Sequence, residues 1–406
     1  MNVSAELHVT RPEEHGFSSQ RLGRINAMMR RAIDQGQLTG GSTLVARHDQ
    51  VVHFETHGHA DLEGRRPTQP NTIYRIYSMT KPVTSVAVLM LLEEGLIRLT
   101  DPIANYIPAF KAPKVLASAR GEPLRTVDPF RPITILDLLT HTAGLNHGLG
   151  LEYVDDLFRE RLATLYFSPD ATLSSIVDAI ASVPLAFQPG AAWMYSSAPD
   201  VLGYLVQTVS GMPFDAFLQQ RLFAPLGMMD TDFWVPPEKL GRFAVMYTSD
   251  ADGGLCLAQP FPMAAGDYTR RTRGPMGTGG LVATTRDYYQ FCRLLHNKGL
   301  VDGERLLSRK TIDLLSADHL PAGVHMPGNE SSGFGLGVNI LKDLGMSPTL
   351  NSVGAYGWGG AASTNFWIDP QEHLVGLMML QFLPSNDNGV PALDDFRNLV
   401  YQALVD

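Results

Sequence analysis

The sequence predicts an α/β (α+β) fold in which an antiparallel sheet, flanked by helices from both termini, carries an inserted, mainly helical domain. Three observations predict it. Strand and helix patterns occur at both ends of the chain, helical patterns and long loops dominate the middle, and 406 residues are enough for two domains. We therefore expect a sheet domain built from residues 1–77 and 320–406, and a helical domain over residues 78–319.

A helix and a hairpin are predicted at the N-terminal end. Residues 18–36 place apolar side chains on one helical face, with a serine as the N-cap and a glycine as the stop. Residues 42–61 then alternate between apolar and polar side chains around a turn at residues 48–50, which is typical of two antiparallel strands. The helical pattern consists of the caps Ser18 or Ser19, the apolar face Leu22, Ile25, Met29 and Ile33, and the stop Gly36.

Strand patterns and a final helix occur again at the C-terminal end. Residues 362–369 and 374–382 are predicted strands, joined by a turn at residues 369–371. A closing helix follows, and its apolar face consists of Leu393, Phe396, Val400 and Leu404. The two ends of the chain together supply the material for one sheet with helices on its faces.

A buried helix is predicted within residues 75–101, at the start of the middle segment. Its apolar side chains cover every side of the helical pattern, and Gly95 closes it. Pro82 lacks an amide hydrogen and is tolerated only in the first turn, so the helix must begin close to Ser78 or Met79. The Pro- and Gly-rich stretches at 108–132 and 250–280 are expected to be long loops over a cleft.

Ser78 and Lys81 lie three residues apart at the start of this helix. Helix N-termini can stabilise a developing oxyanion, and the spacing puts the Lys81 amine within reach of the Ser78 hydroxyl. Apolar surroundings are expected to lower the pKa of the lysine, so that a neutral amine can activate the serine as a nucleophile. The alternative is a capping serine beside a lysine that extends into solvent, because Ser-x-x-Lys also occurs by chance.

Composition and charge argue against several functional classes. A net charge of −9 disfavours nucleic acid or an anionic membrane as a partner, and no uncharged apolar run approaches the roughly 20 residues of a membrane span. Cys256 and Cys292 are too few for a disulfide framework and lack metal-type spacing. The N-terminal segment has acidic residues and no apolar core, so we expect a cytoplasmic location. Without a Walker or dinucleotide glycine loop, no cofactor is expected.

Several motifs extend this pattern along nearly the whole chain. After Ser-Met-Thr-Lys-Pro at residues 78–82 come Leu-Thr-His-Thr-Ala-Gly-Leu at 139–145, Pro-Gly at 189–190 before Trp193 and Tyr195, and Gly-Thr-Gly-Gly-Leu at 277–281. In this order the motifs resemble those of the penicillin-recognising serine hydrolases: class C β-lactamases, DD-peptidases and, above all, family VIII carboxylesterases. The resemblance implies a sheet domain plus a helical domain.

The second family motif, Tyr-x-Asn, resembles Tyr195-Ser196-Ser197 in this sequence. The resemblance implies that Tyr195 takes part in proton transfer between the nucleophile and the leaving group. Ser197 is a departure at a substrate-binding position, because a short hydroxyl cannot both donate and accept at the reach of an amide. Recognition of a substrate amide is therefore not expected to follow the family pattern. The alternative for Tyr195 is an ordinary core tyrosine.

The third motif departs further. β-Lactamases and DD-peptidases carry a cation there, whereas the nearest match here, Trp358-Gly359-Gly360-Ala361, has the Trp-x-Gly pattern of family VIII carboxylesterases. An indole has no charge with which to bind a carboxylate, so uncharged esters are the expected substrates. The glycines let the backbone approach the acyl group, and the resemblance implies that the amides of Ala361 and Ser78 form the oxyanion hole. The alternative is a Gly-rich turn with an ordinary aromatic residue.

Other candidate residues have ordinary structural roles as their alternatives. Tyr77, Trp193 and Trp358 adjoin the motifs and are candidates for an apolar acyl pocket. Three histidines on one face of the first hairpin have the spacing of a metal site, but they are expected to be solvated, so no metal is predicted. His141 lies in a motif segment and is expected to be structural, and no Gly-x-Ser-x-Gly elbow occurs. The three hairpin histidines are His53, His57 and His59.

The sequence thus predicts a serine carboxylesterase that cleaves short- or medium-chain acyl esters through a Ser78 acyl-enzyme. Lys81 and Tyr195 are expected to handle the proton, and the sequence leaves open which of them is the base in each step. One alternative is an amide hydrolase such as a β-lactamase, and another is a binding protein that keeps the fold without turnover. The sequence specifies neither the acyl or alcohol preference nor the oligomeric state.

Overall fold

An eight-stranded antiparallel sheet forms the centre of the fold, and both ends of the chain contribute to it. The structure, a computed structural model, describes residues 7–166, 168, 170–258, 267–271, 274–384 and 390–406. Part of the predicted loop at 250–280, residues 259–266, 272 and 273, therefore lies outside the described residues. The mixed helix-and-sheet class predicted from the sequence is confirmed.

The strands of the main sheet run in the order β12-β13-β14-β15-β16-β1-β2-β3. The remaining short strands form two- and three-stranded ribbons. The strand bounds are β1 Gly40–Arg47, β2 Gln50–Asp61, β3 Arg66–Pro67, β4 Ile73–Arg75, β5 Val115–Leu116, β6 Thr126–Val127, β7 Tyr247–Ser249, β8 Leu255–Leu257, β9 Val282–Thr284, β10 Leu300–Val301, β11 Glu304–Arg305, β12 Ser332–Phe334, β13 Asn339–Leu341, β14 Tyr356–Gly360, β15 Thr364–Asp369, β16 Leu374–Leu380 and β17 Phe382–Leu383.

Helices cover both faces of this sheet. One apolar cluster joins the first and last helices to one face, and a second cluster joins the opposite face to the helices of the middle segment. The helix bounds are α1 Ser19–Asp34, α2 Thr80–Glu93, α3 Ile135–Leu139, α4 Tyr153–Tyr166, α5 Leu173–Ser182, α6 Ala198–Ser210, α7 Phe214–Leu218, α8 Thr285–His296, α9 Arg309–Leu315 and α10 Pro391–Tyr401. Within the part of the chain that the structure describes, none of these helices has the length and apolarity to traverse a bilayer.

The N-terminal helix and hairpin follow the sequence prediction closely. Ser18 is the N-cap of α1, and its side chain accepts a hydrogen bond from the Arg21 amide. Strands β1 and β2 pair antiparallel around His48 and Asp49, which both have positive φ angles. Every residue of β1 is buried because this strand lies inside the sheet, between β2 and β16.

At the C-terminal end the structure adds a strand that the sequence pattern did not indicate. The predicted strand 362–369 begins at Thr364, and the glycine-rich segment before it forms β14, which pairs with β15. Glycine is disfavoured in strand interiors, so strand propensity gave no signal for it. This strand carries the Trp358 motif and therefore places it at the site.

Candidate active site

Ser78 lies in a short 3-10 turn, Tyr77–Met79, that leads into α2. The sequence predicted the helix to begin at Ser78 or Met79, and the α-helix itself begins one residue later, at Thr80. Tyr77, immediately before the serine, has a φ of 42°, an uncommon conformation for a residue with a side chain. The turn places Ser78 at a cleft, whereas residues 80–91 of α2 are buried in the core.

Lys81 is the buried partner of this serine, with 1% of its surface exposed. Its Nζ donates hydrogen bonds to Ser78 Oγ at 3.1 Å and to the Thr278 carbonyl oxygen at 2.8 Å. The same nitrogen lies 4.3 Å from the centre of the Tyr195 ring. The predicted contact between the serine hydroxyl and the lysine amine is therefore present, and the alternative of a lysine extending into solvent does not apply.

Tyr195 completes the group, although it is 117 residues from Ser78 in the chain. Its hydroxyl donates a hydrogen bond to Ser78 Oγ at 2.6 Å. Aromatic neighbours on several sides fix the ring. The ring centroids that surround it are His141 at 5.2 Å, His147 at 5.3 Å, Trp358 at 5.8 Å and Trp193 at 6.3 Å.

The two histidines beside Tyr195 are held in the uncharged state. Burial and the nearby Lys81 ammonium lower the pKa of His147 to about 4 and keep the pKa of His141 well below its usual range. His141 Nδ1 shares a hydrogen bond of 2.9 Å with Ser196 Oγ, which agrees with its predicted structural role. Near neutral pH neither imidazole adds a positive charge beside the lysine.

Asp200 and Thr278 are functional candidates that sequence reasoning missed. The Asp200 carboxylate is fully buried and accepts hydrogen bonds from the Thr278 amide at 2.9 Å and the Tyr166 hydroxyl at 3.2 Å. Because the Thr278 carbonyl holds Lys81, the aspartate anchors the residue that positions the amine. Burial raises the pKa of Asp200, while the attraction of Lys81 opposes that rise. The Gly-Thr-Gly-Gly motif at 277–280 was the available signal.

The end of β14 brings the third motif to Ser78. A Cβ on Gly360 would lie 2.3 Å from the carbonyl oxygen of Ile76, so only glycine permits this approach to the turn that carries the serine. Ala361 follows and lines the same cleft as Ser78. Within the described residues the amides of Ser78 and Ala361 donate to no protein acceptor. Two free amides at one cleft are the donors that an oxyanion hole requires.

The cleft has a volume of about 580 Å³ and combines an aromatic wall near Ser78 with a longer wall of mixed polar and apolar side chains. Near the nucleophile, Tyr195, Trp358 and Leu149 line it. Farther along, uncharged polar side chains are mixed with apolar ones such as Leu341 and Phe366, and one aspartate and one arginine lie among them. The polar and charged lining residues are Asn329, Ser331, Ser332, Asn339, Ser347, Thr349, Asn351, Asn365, Asp394 and Arg397.

Three residues predicted to contact substrate do not line the cleft, and two of them are buried, so these predictions need correction. Ser197 is fully buried at the N-cap of α6, and its hydroxyl donates to the Asn146 carbonyl at 2.8 Å. Tyr77 is 4% exposed and packs in a small cluster with Met246 and Ala362. Trp193 is partly exposed and stacks against the Tyr195 ring. None of the three belongs to the described residues that line the cleft.

The expectation that the hairpin histidines are solvated is wrong for His53. Its Nε2 shares a hydrogen bond of 2.8 Å with Thr43 Oγ1, and the side chain is buried. His53 pairs with Val45, which belongs to the apolar cluster formed with α1, so the face that carries His53 is covered by this helix and not by solvent. In the described part of the chain no three His, Cys, Asp or Glu side chains form a cluster that could hold a metal ion.

Comparison with known proteins gives the same picture over almost the whole chain. The model of the Beta-lactamase family matches residues 25–396. An uncharacterized protein of Mycobacterium tuberculosis is 34% identical over 367 residues, which are 88% of this chain and 89% of that protein. Esterase EstB of Burkholderia gladioli is 29% identical over 395 residues, 93% of this chain and 94% of EstB.

A solved structure supports the fold. The chain matches EstCE1, described as a hydrolase with promiscuous acyltransferase activity, with a TM-score of 0.82 and 26% identity. The match covers 94% of this chain and 99% of EstCE1.

Proposed function

This chain belongs to the β-lactamase family of serine hydrolases, in which it has esterase relatives, and we propose that it is a carboxylesterase acting on short- or medium-chain acyl esters. The observation that carries the proposal is the hydrogen-bonded group Ser78–Lys81–Tyr195, which opens into a cleft beside the uncharged Trp358. An indole at this position favours a neutral ester over a substrate whose carboxylate must lie next to the reacting carbonyl.

The chemistry follows from two proton-carrying groups in contact with one nucleophile. Ser78 Oγ attacks the ester carbonyl, and its proton passes to Lys81 or Tyr195 across a single hydrogen bond. The carbonyl oxygen becomes an oxyanion between the amides of Ser78 and Ala361, and when the tetrahedral intermediate collapses the leaving alkoxide takes the proton back. Water then attacks the acyl-enzyme with the same pair as its base, and the acid and the free serine are released.

Hydrolysis of p-nitrophenyl butyrate, compared with that of nitrocefin, tests the proposal. We expect the wild-type protein to cleave the ester with a kcat/KM far above that for the β-lactam, and Ser78→Ala to lose about 10⁴-fold or more. Ser175→Ala, at a partly exposed position on α5, is the matched serine control and should retain activity. Nitrocefin as the better substrate would favour the amide-hydrolase alternative.

A serine-directed phosphonate separates an enzyme from a binding protein. Mass spectrometry should find one adduct, on the peptide that contains Ser78, because this hydroxyl is in contact with the Lys81 amine and the Tyr195 hydroxyl. A protein that folds normally but forms no adduct and cleaves neither substrate would leave the non-catalytic alternative standing.

A further inference from the structure

The cleft continues from Ser78 past the free edge of β14 to the other face of the sheet. Strand β13 pairs with β14 only at Tyr356 and Gly357, so residues 358–360 have no strand partner on that side. Gly357 and Gly359 lie opposite Trp367 and Asn365, and cross-strand neighbours share a face. Trp367 and Asn365 therefore lie on the face opposite to Trp358, where they line the same cleft together with the α10 residues Asp394 and Arg397.

Arg397 lines this distant part of the cleft and is partly buried there. The Trp367 ring covers one side of its guanidinium, with a centroid distance of 4.7 Å. Among the described residues no acceptor takes a hydrogen bond from it, and no carboxylate oxygen comes within 4.0 Å. By contrast, the similarly enclosed Arg293 is bound by Asp49 and Asp302, with distances of 2.7 and 3.0 Å.

The neighbouring carboxylates do not satisfy this cation. Asp369 is fully buried, and its oxygens already accept from the Tyr401 hydroxyl at 2.7 Å and the Gln371 amide at 2.9 Å. Asp394 is exposed, lies one turn before Arg397, and comes no closer than 4.0 Å. Burial lowers the pKa of the guanidinium, which nonetheless stays charged at neutral pH.

An enclosed guanidinium without an acceptor is costly unless a ligand or water supplies one, and its planar fork matches a carboxylate. We propose that Arg397 forms an anion-binding subsite, which takes a carboxylate carried at the far end of the ester substrate, remote from the bond that Ser78 cleaves. Apolar side chains such as Leu341 and Phe366 line the cleft beside the Asn and Ser side chains, so it can accommodate the alkyl segment between the two ends. This inference rests on the proposed esterase function and names one substrate class for it.

The subsite differs from the one that the third motif lacks. In the third motif of β-lactamases and DD-peptidases, a cation beside the nucleophile would hold a carboxylate close to the scissile bond. In this chain the uncharged Trp358 occupies that position. Arg397 lies on the other face of β14, so the preferred carboxylate is separated from the reacting carbonyl by a chain that crosses the strand edge. The net charge of −9 gives no general attraction for anions, so a preference for one must come from a local site.

Matched esters that differ only at the far end test this subsite. The first arm compares the p-nitrophenyl monoester of suberic acid with p-nitrophenyl octanoate, and the second compares acetate esters of ω-hydroxy acids with acetates of alkanols of equal length. In whichever arm places its carboxylate at Arg397, we expect the charged substrate to have a kcat/KM about tenfold higher than its neutral partner. Added salt should reduce that ratio.

Variants then assign the effect. Arg397→Gln should bring the ratio of kcat/KM between charged and neutral substrate to about one, and Arg397→Lys should leave part of the preference. Asp394→Asn should raise the ratio, because it removes a negative charge that repels the substrate carboxylate from the same wall of the cleft. Arg24→Gln, on the exposed side of α1, is the control that should keep the wild-type ratio. A wild-type ratio of one in both arms, or a preference that survives Arg397→Gln, overturns the subsite.

A binding measurement keeps this inference separate from the proposed function. Calorimetry compares monomethyl suberate with dimethyl suberate on the wild type and on Arg397→Gln, with circular dichroism as the check of folding. If the wild type binds the monoanion more tightly and Arg397→Gln does not, the subsite is supported even where neither ester is cleaved. The absence of cleavage would refute only the esterase assignment. Equal binding of both compounds by the wild type refutes a subsite for a carboxylate on the acyl side, whatever the activity.

Discussion

Lys81 is a buried amine that contacts no carboxylate among the described residues. Its fixed partners are a serine hydroxyl and the Thr278 carbonyl, and the charge that stabilises the ammonium from farther away is Asp200. An arrangement of this kind stabilises the charged lysine less than a direct ion pair does, because the interaction weakens with distance. The amine is thus held by a hydroxyl and a carbonyl, in contact with the hydroxyl whose proton it would accept.

Replacing Asp200 with asparagine tests its positioning role. The two Asp200 oxygens each accept a hydrogen bond, one from the Thr278 amide and one from the Tyr166 hydroxyl. An asparagine side chain has only one oxygen acceptor, so Thr278 and the lysine that its carbonyl holds should shift. We expect kcat/KM for p-nitrophenyl butyrate to fall about 10²-fold. Loss of the negative charge also disfavours the ammonium, so the acidic limb of the pH–rate profile should move to lower pH.

The pH profile distinguishes positioning from a general loss of structure. Asp178→Asn, at an exposed site on α5, provides the matched control and should leave both rate and profile unchanged. If Asp200→Asn lowers the melting temperature and the rate but leaves the acidic limb in place, the aspartate is only structural.

At the scale of elements, the site depends on how closely β14 approaches the turn that carries Ser78. Gly360 is the contact point, because a Cβ there would meet both the Ile76 carbonyl oxygen and Thr364 Oγ1 at 2.3 Å. The position of the Ala361 amide follows from this approach, since it is the next residue in the chain. A small displacement of the strand would therefore separate the two amides of the proposed oxyanion hole.

Gly360→Ala should accordingly reduce kcat more than it raises KM. We expect a loss of about 10²-fold in kcat, the size that removal of one oxyanion donor produces. Gly23→Ala is the control: it lies in α1 with no atom within 4 Å of the added Cβ, so activity should be kept. Helix stability there should even rise, by up to about 1 kcal/mol in the free energy of unfolding. Unchanged kcat in Gly360→Ala would contradict the account of the oxyanion hole.

At the scale of the whole molecule, buried histidines make stability depend on pH. Burial lowers the pKa of His53, His147 and His296 from 6.5 to about 4. Between pH 6.5 and about 4 these histidines are protonated in the unfolded chain but remain neutral in the folded chain. The free energy of unfolding should therefore fall as the pH decreases from 6.5 towards 4. Each histidine contributes at most about 1.4 kcal/mol for every unit of pKa difference.

Denaturant unfolding at pH 7.5, 6 and 5 measures this dependence, with His53→Gln as the comparison. Glutamine can keep a hydrogen bond to Thr43 but does not titrate, so the variant should lose less stability on acidification than the wild type. The difference between the two proteins isolates His53 from Asp287, whose pKa burial raises to about 6 and which acts in the opposite direction. Parallel curves for both proteins would exclude the contribution of His53.

The sequence by itself determined the features that depend on neighbours along the chain. The capped helix α1, the first hairpin and the buried helix α2 follow from apolar periodicity, a serine cap and the position of Pro82. The contact between Ser78 and Lys81 is of the same kind, because residues three apart at a helix start share a face. These features are local, so local pattern was sufficient to predict them.

Only the tertiary structure decided which distant groups meet. Thr278 reaches Lys81 across 197 residues of chain, Asp200 stands behind Thr278, and Arg397 enters the cleft of Ser78 from the last helix. The tertiary structure also buries Ser197, which the Tyr-x-Asn-like motif had suggested as a substrate contact. Such contacts depend on how sheets and helices pack, and packing selects partners by shape and burial, which local periodicity does not encode.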